Sequence, residues 1–236
     1  MEYQKINTLF KRDIDNIIIP TEYTLPEFIY LQNCLFECTE KIDGTNIRIE
    51  IDWKSKDIFN IEFKGRTDRA NIPEHLLRKL YHIFNNFTPD KIFEFKEPCH
   101  ITIYGEGYGA KIQKGGNYIS NDVNFILFDI KVGKWWLNRE SLEDIAKKLQ
   151  LNIVPIIKYM TIKEAVEFVK KGFKSTIAEN KDYDAEGLVL KTPYGLQLRN
   201  GERVILKIKT EDFRKYNNKY GNIDNPKQIP NSKYDV

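Results

Sequence analysis

The sequence predicts an α+β protein, and three observations carry that expectation. Apolar and polar residues alternate with period two through several short stretches, most clearly Thr45–Asp52 and Ile58–Lys64, as half-buried strands require. Three other stretches, within 73–87, 141–150 and 161–172, place apolar residues at helical spacing. At 236 residues, 41% hydrophobic and 30% charged, the chain has an ordinary globular composition and length enough for a sizeable core.

Charge and cysteines narrow the classes. A net charge of +3 permits a polyanionic partner without demanding one, so any nucleic-acid site has to be a local patch. Cys34, Cys38 and Cys99 are odd in number and form no framework, which points to reduced thiols in a reducing compartment. With His100 they could be drawn as a zinc site, but alternation through both segments favours buried strand residues instead. Met1-Glu2-Tyr3-Gln4-Lys5 is polar with no apolar run behind it, so no signal peptide is expected. No stretch approaches the roughly 18 apolar residues of a membrane span. The expectation is a cytoplasmic protein with no membrane partner.

In chain order, residues 1–33 are mixed, broken by Pro20 and Pro26, with Ile17-Ile18-Ile19 as a short strand and Lys11-Arg12-Asp13 as solvated surface. An apolar-rich run, Cys34 to Cys38, leads to Glu40-Lys41-Ile42-Asp43-Gly44-Thr45-Asn46, and the alternation resumes at Ile47. Lys41 is therefore expected in a turn between two strands. A lysine there is either a surface hairpin residue or a nucleophile, if burial or nearby positive charge favours its neutral form. The strand at 58–64 runs into Gly65-Arg66-Thr67-Asp68-Arg69, where Arg66 faces a phosphate or plain solvent.

Pro73 to Phe87 reads as a helix with Pro73 in its first turn and Leu76, Leu77, Leu80, Tyr81, Phe84 and Phe87 on one face. Cys99 to Tyr104 reads as a strand ending in Gly105-Glu106-Gly107-Tyr108-Gly109. Three glycines around one carboxylate imply a fixed acid, suited to sugar hydroxyls, and no helix follows to make a phosphate cradle. Ala110 to Gly116, with Lys111 and Lys114, is a basic loop facing solvent or a polyanion. Asn124 to Val132 is a strand carrying Phe128-Asp129, and Trp135-Trp136 completes a hairpin.

Ser141 to Gln150 is an amphipathic helix, and Thr161-Ile162-Lys163-Glu164 is a capping box opening a helix that ends at Gly172. Glu186-Gly187 then opens an apolar strand ending in Lys191. In the last strand, Arg203 to Lys209, alternation puts Lys207 and Lys209 on one sheet face. Two like charges side by side repel unless an anion lies between them. From residue 210 the chain reads as a polar tail or short helix, not a second domain.

Taken together, these stretches resemble the covalent nucleotidyltransferases, the family of polynucleotide ligases and mRNA capping enzymes. Lys41-Ile42-Asp43-Gly44 is similar to motif I, and Gly65-Arg66 to the short motif between I and III. Tyr104-Gly105-Glu106-Gly107 is similar to motif III, Phe128-Asp129-Ile130 to IIIa, Glu186 to Lys191 to IV, and Leu206-Lys207-Ile208-Lys209 to V. Within the family the chain is most similar to ATP-dependent RNA ligases of the RNA ligase 2 group, because Asn46 stands where DNA ligases carry arginine and Gly105 to Gln113 is RNA-ligase-like.

The resemblance implies a nucleotidyltransferase (ATP-grasp-like) fold of two mostly antiparallel sheets with flanking helices and the nucleotide in the groove between them. The family's ligases usually carry an extra domain, whereas this sequence reads as a single nucleotidyltransferase domain over 1–236, with a polar C-terminal tail from about residue 210 and no separate C-terminal domain. Lys41 would attack the α-phosphorus of ATP and expel pyrophosphate, leaving lysyl-AMP. Lys207 and Lys209 would disfavour a third positive charge at Lys41 and neutralise phosphate in the transition state. Glu186 would bind Mg²⁺ or Mn²⁺. Phe128 would stack on adenine, Glu106 would bind the ribose, Glu40 would touch the adenine edge and Arg66 would hold a phosphate. Asp43, Gly44 and Asn46 complete the nucleotide-binding set, with Lys207 and Lys209. AMP would pass to an RNA 5′-phosphate and a 3′-OH would seal the strand.

Little sequence precedes Lys41 or follows Lys209, so the expectation is either a minimal ligase or one that needs a partner protein supplying an accessory domain, and NAD as donor is disfavoured. A DNA ligase, a capping-type guanylyltransferase and a non-catalytic nucleotide or RNA binder are the alternatives.

Overall fold

The computed structural model describes residues 1–55, 57–93, 97–113 and 118–225. The chain begins β1 (Asn7–Thr8), β2 (Phe10–Arg12), β3 (Ile18–Tyr23), α1 (Glu27–Tyr30), β4 (Phe36–Lys41), β5 (Thr45–Ser55), β6 (Ile58–Lys64), α2 (Glu74–Ile83), α3 (Pro89–Ile92) and β7 (Cys99–Gly109). It continues β8 (Val123–Val132), β9 (Trp135–Trp136), α4 (Arg139–Leu149), β10 (Asn152–Ile153), β11 (Ile156–Met160), α5 (Ile162–Lys171), β12 (Gly187–Lys191), β13 (Ile205–Lys209) and α6 (Thr210–Tyr220). The α+β expectation holds, with mostly antiparallel sheets. Two compact units emerge, each assembled from separated segments. The first takes Met1–Gln4, Ile42–Val154 and Ile177–Asn180; the second takes Lys5–Lys41, Pro155–Thr176 and the chain from Lys181.

In the first unit β5 lies between β6 and β7, β7 pairs with β8, and β10 adds in parallel to the far edge of β8. Alternation gives this sheet one apolar face. Ile47, Ile49 and Ile51 of β5, Ile101 and Ile103 of β7, and Phe125 and Leu127 of β8 are buried in one cluster with Leu76 and Leu80 of α2 and Leu142 and Ile145 of α4. Each such aliphatic side chain contributes about 1.5–3 kcal/mol on burial. The other face is polar, with Asn46, Arg48 and Glu50 of β5 opposite Glu106, Tyr104 and Thr102 of β7.

The second unit has a sheet in the order β1-β13-β12-β4-β11, antiparallel except for β1 on β13, and a small β2–β3 ribbon. Its core sets Phe36 and Cys38 of β4, Leu188 and Leu190 of β12, and Leu206 and Ile208 of β13 against α5 and α6. Burial pushes the Cys38 thiol up to about 12, which keeps it neutral.

Several expectations need correction. The strand at Cys99 does not end at Tyr104: β7 runs through the glycines to Gly109, because β5 and β8 supply ladder partners on both sides and outweigh glycine's poor strand propensity. The helix from Pro73 stops at Ile83, although Phe84 and Phe87 still bury beyond it. Cys34 is exposed in the turn after α1, where its amide donates to Leu31 O, so it is not a buried strand residue. The polar stretch after Lys209 begins as a helix, α6, whose Phe213, Tyr216 and Tyr220 enter the core. Lys114, Gly115 and Gly116 of the basic loop, and the tail beyond Asn225, lie outside the described residues. Among the described residues no helix is long and apolar enough to cross a membrane, and no group of three or more His, Cys, Asp or Glu residues could hold a metal ion.

Candidate active site

Lys41 is the last residue of β4, so the nucleophile candidate sits on a strand and the turn begins one residue later, at Ile42. Register carries it across the sheet: Lys41 lies opposite Gly187 of β12, and Gly187 opposite Lys209 of β13. Alternation points Cys38, Leu188 and Ile208 into the core, so Lys41, Lys207 and Lys209 share the opposite face of the sheet.

Glu186, one residue ahead of β12, ties this row together. Its Oε2 lies 2.5 Å from Lys41 Nζ and its Oε1 lies 2.7 Å from Lys209 Nζ. At an effective dielectric constant of about 20 each pair has a gross attraction of about 6 kcal/mol before desolvation. The two are close to equal, so the carboxylate is shared between the lysines. Two ammonium groups on one carboxylate leave a positive excess, which suits a polyphosphate. The backbone fixes Glu186 as well: its carbonyl accepts from Thr210 N at 2.9 Å, at the start of α6. Gly187 has φ +153°, and a Cβ there would collide with Ile208 O, so only glycine lets β12 pass this close to β13.

Glu40 points the other way and is 1% exposed. Ser175 Oγ donates to one carboxylate oxygen at 2.5 Å, and Thr176 N and Oγ1 donate to the other at 2.8 and 2.7 Å. Its carboxylate thus clamps the 175–176 segment beside the strand that carries Lys41. Sequence reasoning did not find Ser175 or Thr176. An acid next to a strand-end lysine calls for donors, but these lie about 135 residues downstream.

The first unit carries the other residues. Asp43 N donates to the hydroxyl of the fully buried Tyr118 at 3.0 Å, a second residue the sequence did not reveal. A Cβ on Gly44 would collide with Gly107 O and lie 2.8 Å from Glu106 Cγ, so Gly44 allows the close approach expected of it. Asn46 lies opposite Glu106 in the β5–β7 ladder. Its Oδ1 is buried without a hydrogen-bond partner among the described residues. A buried acceptor left so is costly and fits a donor arriving on a ligand.

Arg66 is exposed on the loop after β6. The fully buried Arg48 holds that loop, donating to Gly65 O at 3.0 Å and to Asp68, and was also missed. Phe128 is the extra residue of a β-bulge: Tyr104 faces Asp129 and Gly105 faces Leu127, with Phe128 between. Bulges re-aim side chains, and this one leaves Phe128 half-buried. The structure thus gathers Lys41, Glu186 and Lys209 in the second unit and Gly44, Asn46 and Glu106 in the first, while Arg66 stands on its own loop.

A strand-end lysine shares a carboxylate with a second lysine, beside a third on the same sheet face, and a row of this kind suits an anion such as phosphate. Residues 35–209 match the RNA ligase family, and the chain belongs to it. No curated protein sequence matches. Among solved structures, a mutant of Naegleria gruberi RNA ligase with ATP and Mn superposes with a TM-score of 0.54 at 19% identity over 91% of this chain and 59% of that one. A second mutant with ATP and Mn gives 0.55 at 17% identity, over 90% and 63%. The same ligase with PPi gives 0.53 at 18% identity, over 92% and 60%. At these identities the likeness is one of fold. The chain spans about six-tenths of the length of these structures.

Proposed function

We propose that the protein is an ATP-dependent RNA ligase acting through a lysyl-AMP intermediate on RNA with 5′-phosphate and 3′-OH ends, in the cytoplasm. The observation that carries this reading is the Glu186 carboxylate held between Lys41 and Lys209, in a chain that belongs to the RNA ligase family.

Lys41 Nζ, once neutral, attacks the α-phosphorus: a P–N bond forms, the bond to the bridging oxygen breaks, and pyrophosphate leaves. The Lys41 ammonium gives its proton to water as Glu186 lets go of it, and Lys209 keeps the carboxylate paired. Lys207 and Lys209 face the charge that builds on the phosphate. Phe128 stacks on the base, Glu106 takes the ribose hydroxyls, and Asn46 Oδ1 gains the donor it lacks. Asp43 and Gly44 shape the turn at the phosphates, and Arg66 holds a phosphate. Glu40 acts from behind the strand, through Ser175 and Thr176. A divalent cation, Mg²⁺ or Mn²⁺, would be held by Glu186 and would supply charge neutralisation at the phosphates. The solved relatives with ATP and Mn and with PPi are in keeping with this.

Covalent labelling tests the proposal. The protein, shown by mass to be free of AMP, is incubated with Mg²⁺ or Mn²⁺ and ATP labelled at the α-phosphate, then denatured. Label is expected from ATP and absent in Lys41→Ala. A nicked RNA carrying a 5′-phosphate should then be sealed, and the DNA equivalent sealed poorly. Label from GTP alone would move the chain to capping chemistry. No label from ATP, GTP or NAD would leave a binder.

A further inference from the structure

We propose that Tyr3 is a positioning residue for the nucleotide base: it braces the Phe128 ring so that the ring meets the base in one fixed attitude. This rests on the ATP reading of Phe128 given above. Phe128 is the extra residue of the bulge, between Asp129, which faces Tyr104, and Leu127, which faces Gly105, and a bulge re-aims the side chain it carries. Tyr3 supplies a fixed wall. Its ring stands edge-on to Phe128, with centroids 5.1 Å apart and planes at 75°. It is also edge-on to Tyr104 at 5.0 Å and to Trp136 at 5.7 Å. Such contacts are favourable beyond area burial because the positive edge of one ring meets the negative face of the other.

The hydroxyl locks the arrangement. Tyr3 OH donates to Asp129 Oδ2 at 2.7 Å, and Asp129 is 1% exposed. Tyr3 therefore touches the extra residue of the bulge and its neighbour, Phe128 by its ring and Asp129 by its hydroxyl. Tyr104 in turn donates from its own hydroxyl to Met1 O at 2.9 Å, which fixes the backbone two residues before Tyr3. A ring held this way loses little freedom when a base stacks on it, and that pre-ordering appears as affinity. Nothing in a polar stretch 126 residues ahead of Asp129 marks Tyr3 for this role.

Calorimetric titration of ATP and of inorganic tripolyphosphate into Lys41→Ala, which cannot turn over, provides the test. In the Lys41→Ala background, Tyr3→Leu is expected to weaken ATP binding about tenfold, about 1.4 kcal/mol, and to leave tripolyphosphate binding unchanged, since tripolyphosphate has no base. Tyr3→Phe keeps the ring and drops the hydroxyl, and an effect of about threefold is expected. Equal or tighter ATP binding in Tyr3→Leu overturns the proposal, and so does a parallel loss of tripolyphosphate, which marks a general structural role. If Tyr3→Leu loses its melting transition, Tyr3→Phe decides: an unchanged Kd for ATP overturns the idea. If the Lys41→Ala parent binds no ATP, the ATP reading falls and the role of Tyr3 falls with it. If wild type takes label and the parent binds ATP while both Tyr3 variants match it, only the role of Tyr3 falls.

Discussion

Glu186 Oε2 takes the Lys41 ammonium, Glu186 Oε1 takes that of Lys209, and the next residue is a glycine at φ +153°. The three facts are linked, because Glu186 reaches both lysines only if β12 lies hard against β13. Gly187→Ala sets a Cβ against Ile208 O and strains the backbone at once. It is expected to cost about 3 kcal/mol or more, read as a lower urea midpoint with an unchanged slope. A wild-type midpoint would mean that β12 can shift without loss. At this scale the sequence pointed to Lys41, Glu186, Lys207 and Lys209 because each sits in a short local pattern, and the structure brings Lys41, Glu186 and Lys209 together. It did not reveal Ser175, Thr176, Tyr118, Arg48 or Tyr3, because each acts on a residue far along the chain and has no special neighbourhood of its own.

Elements differ in how far they explain themselves. The Thr161 capping box is a local device: Thr161 Oγ1 accepts from Glu164 N, and the Glu164 carboxylate accepts from Thr161 N at 2.8 Å. Four residues suffice to read it, and α5 begins at Ile162 and stops at Gly172 as expected. Thr161→Ala is expected to cost about 1 kcal/mol, seen as a lower melting temperature with labelling at Lys41 retained. No change would show that core packing through Ile162, Ala165 and Val169 alone sets the start of the helix. The strand β7 is the opposite case. Its glycines advertise a loop, and only the ladders from β5 and β8 keep them extended. The bulge at Phe128 is equally silent, since an extra residue in one strand is defined only by its partner.

The chain passes between the two units repeatedly, and part of its response to acid follows from one half-buried cluster. Glu50 in β5 accepts from Arg48 Nη1 at 2.9 Å and from Lys64 Nζ at 2.7 Å, and it also meets the terminal amino group. Burial pulls its carboxyl up, but Lys64 and the amino group outweigh burial and hold it at about 2, against an ordinary 4.5. A carboxyl depressed in the folded state contributes fully above its unfolded value and loses that contribution as pH falls through the folded one. Stability is therefore expected to hold down to about pH 5 and to fall between there and pH 2. Glu50→Gln should flatten that part of the pH profile of the melting temperature, and a profile with wild-type slope would refute the assignment.

The pair at the centre of the proposed chemistry also sets a clock. Lys41 and Glu186 are 145 residues apart in the chain, and β4 has no β12 beside it until Gly187 and its successors exist. At roughly 5–20 residues per second of synthesis, a nascent chain carries Lys41 for about 7–30 seconds before Glu186 exists to meet it. On the proposed mechanism, no ribosome-bound fragment stalled inside that interval can charge itself with AMP, so the ligase is switched on by the completion of its own fold.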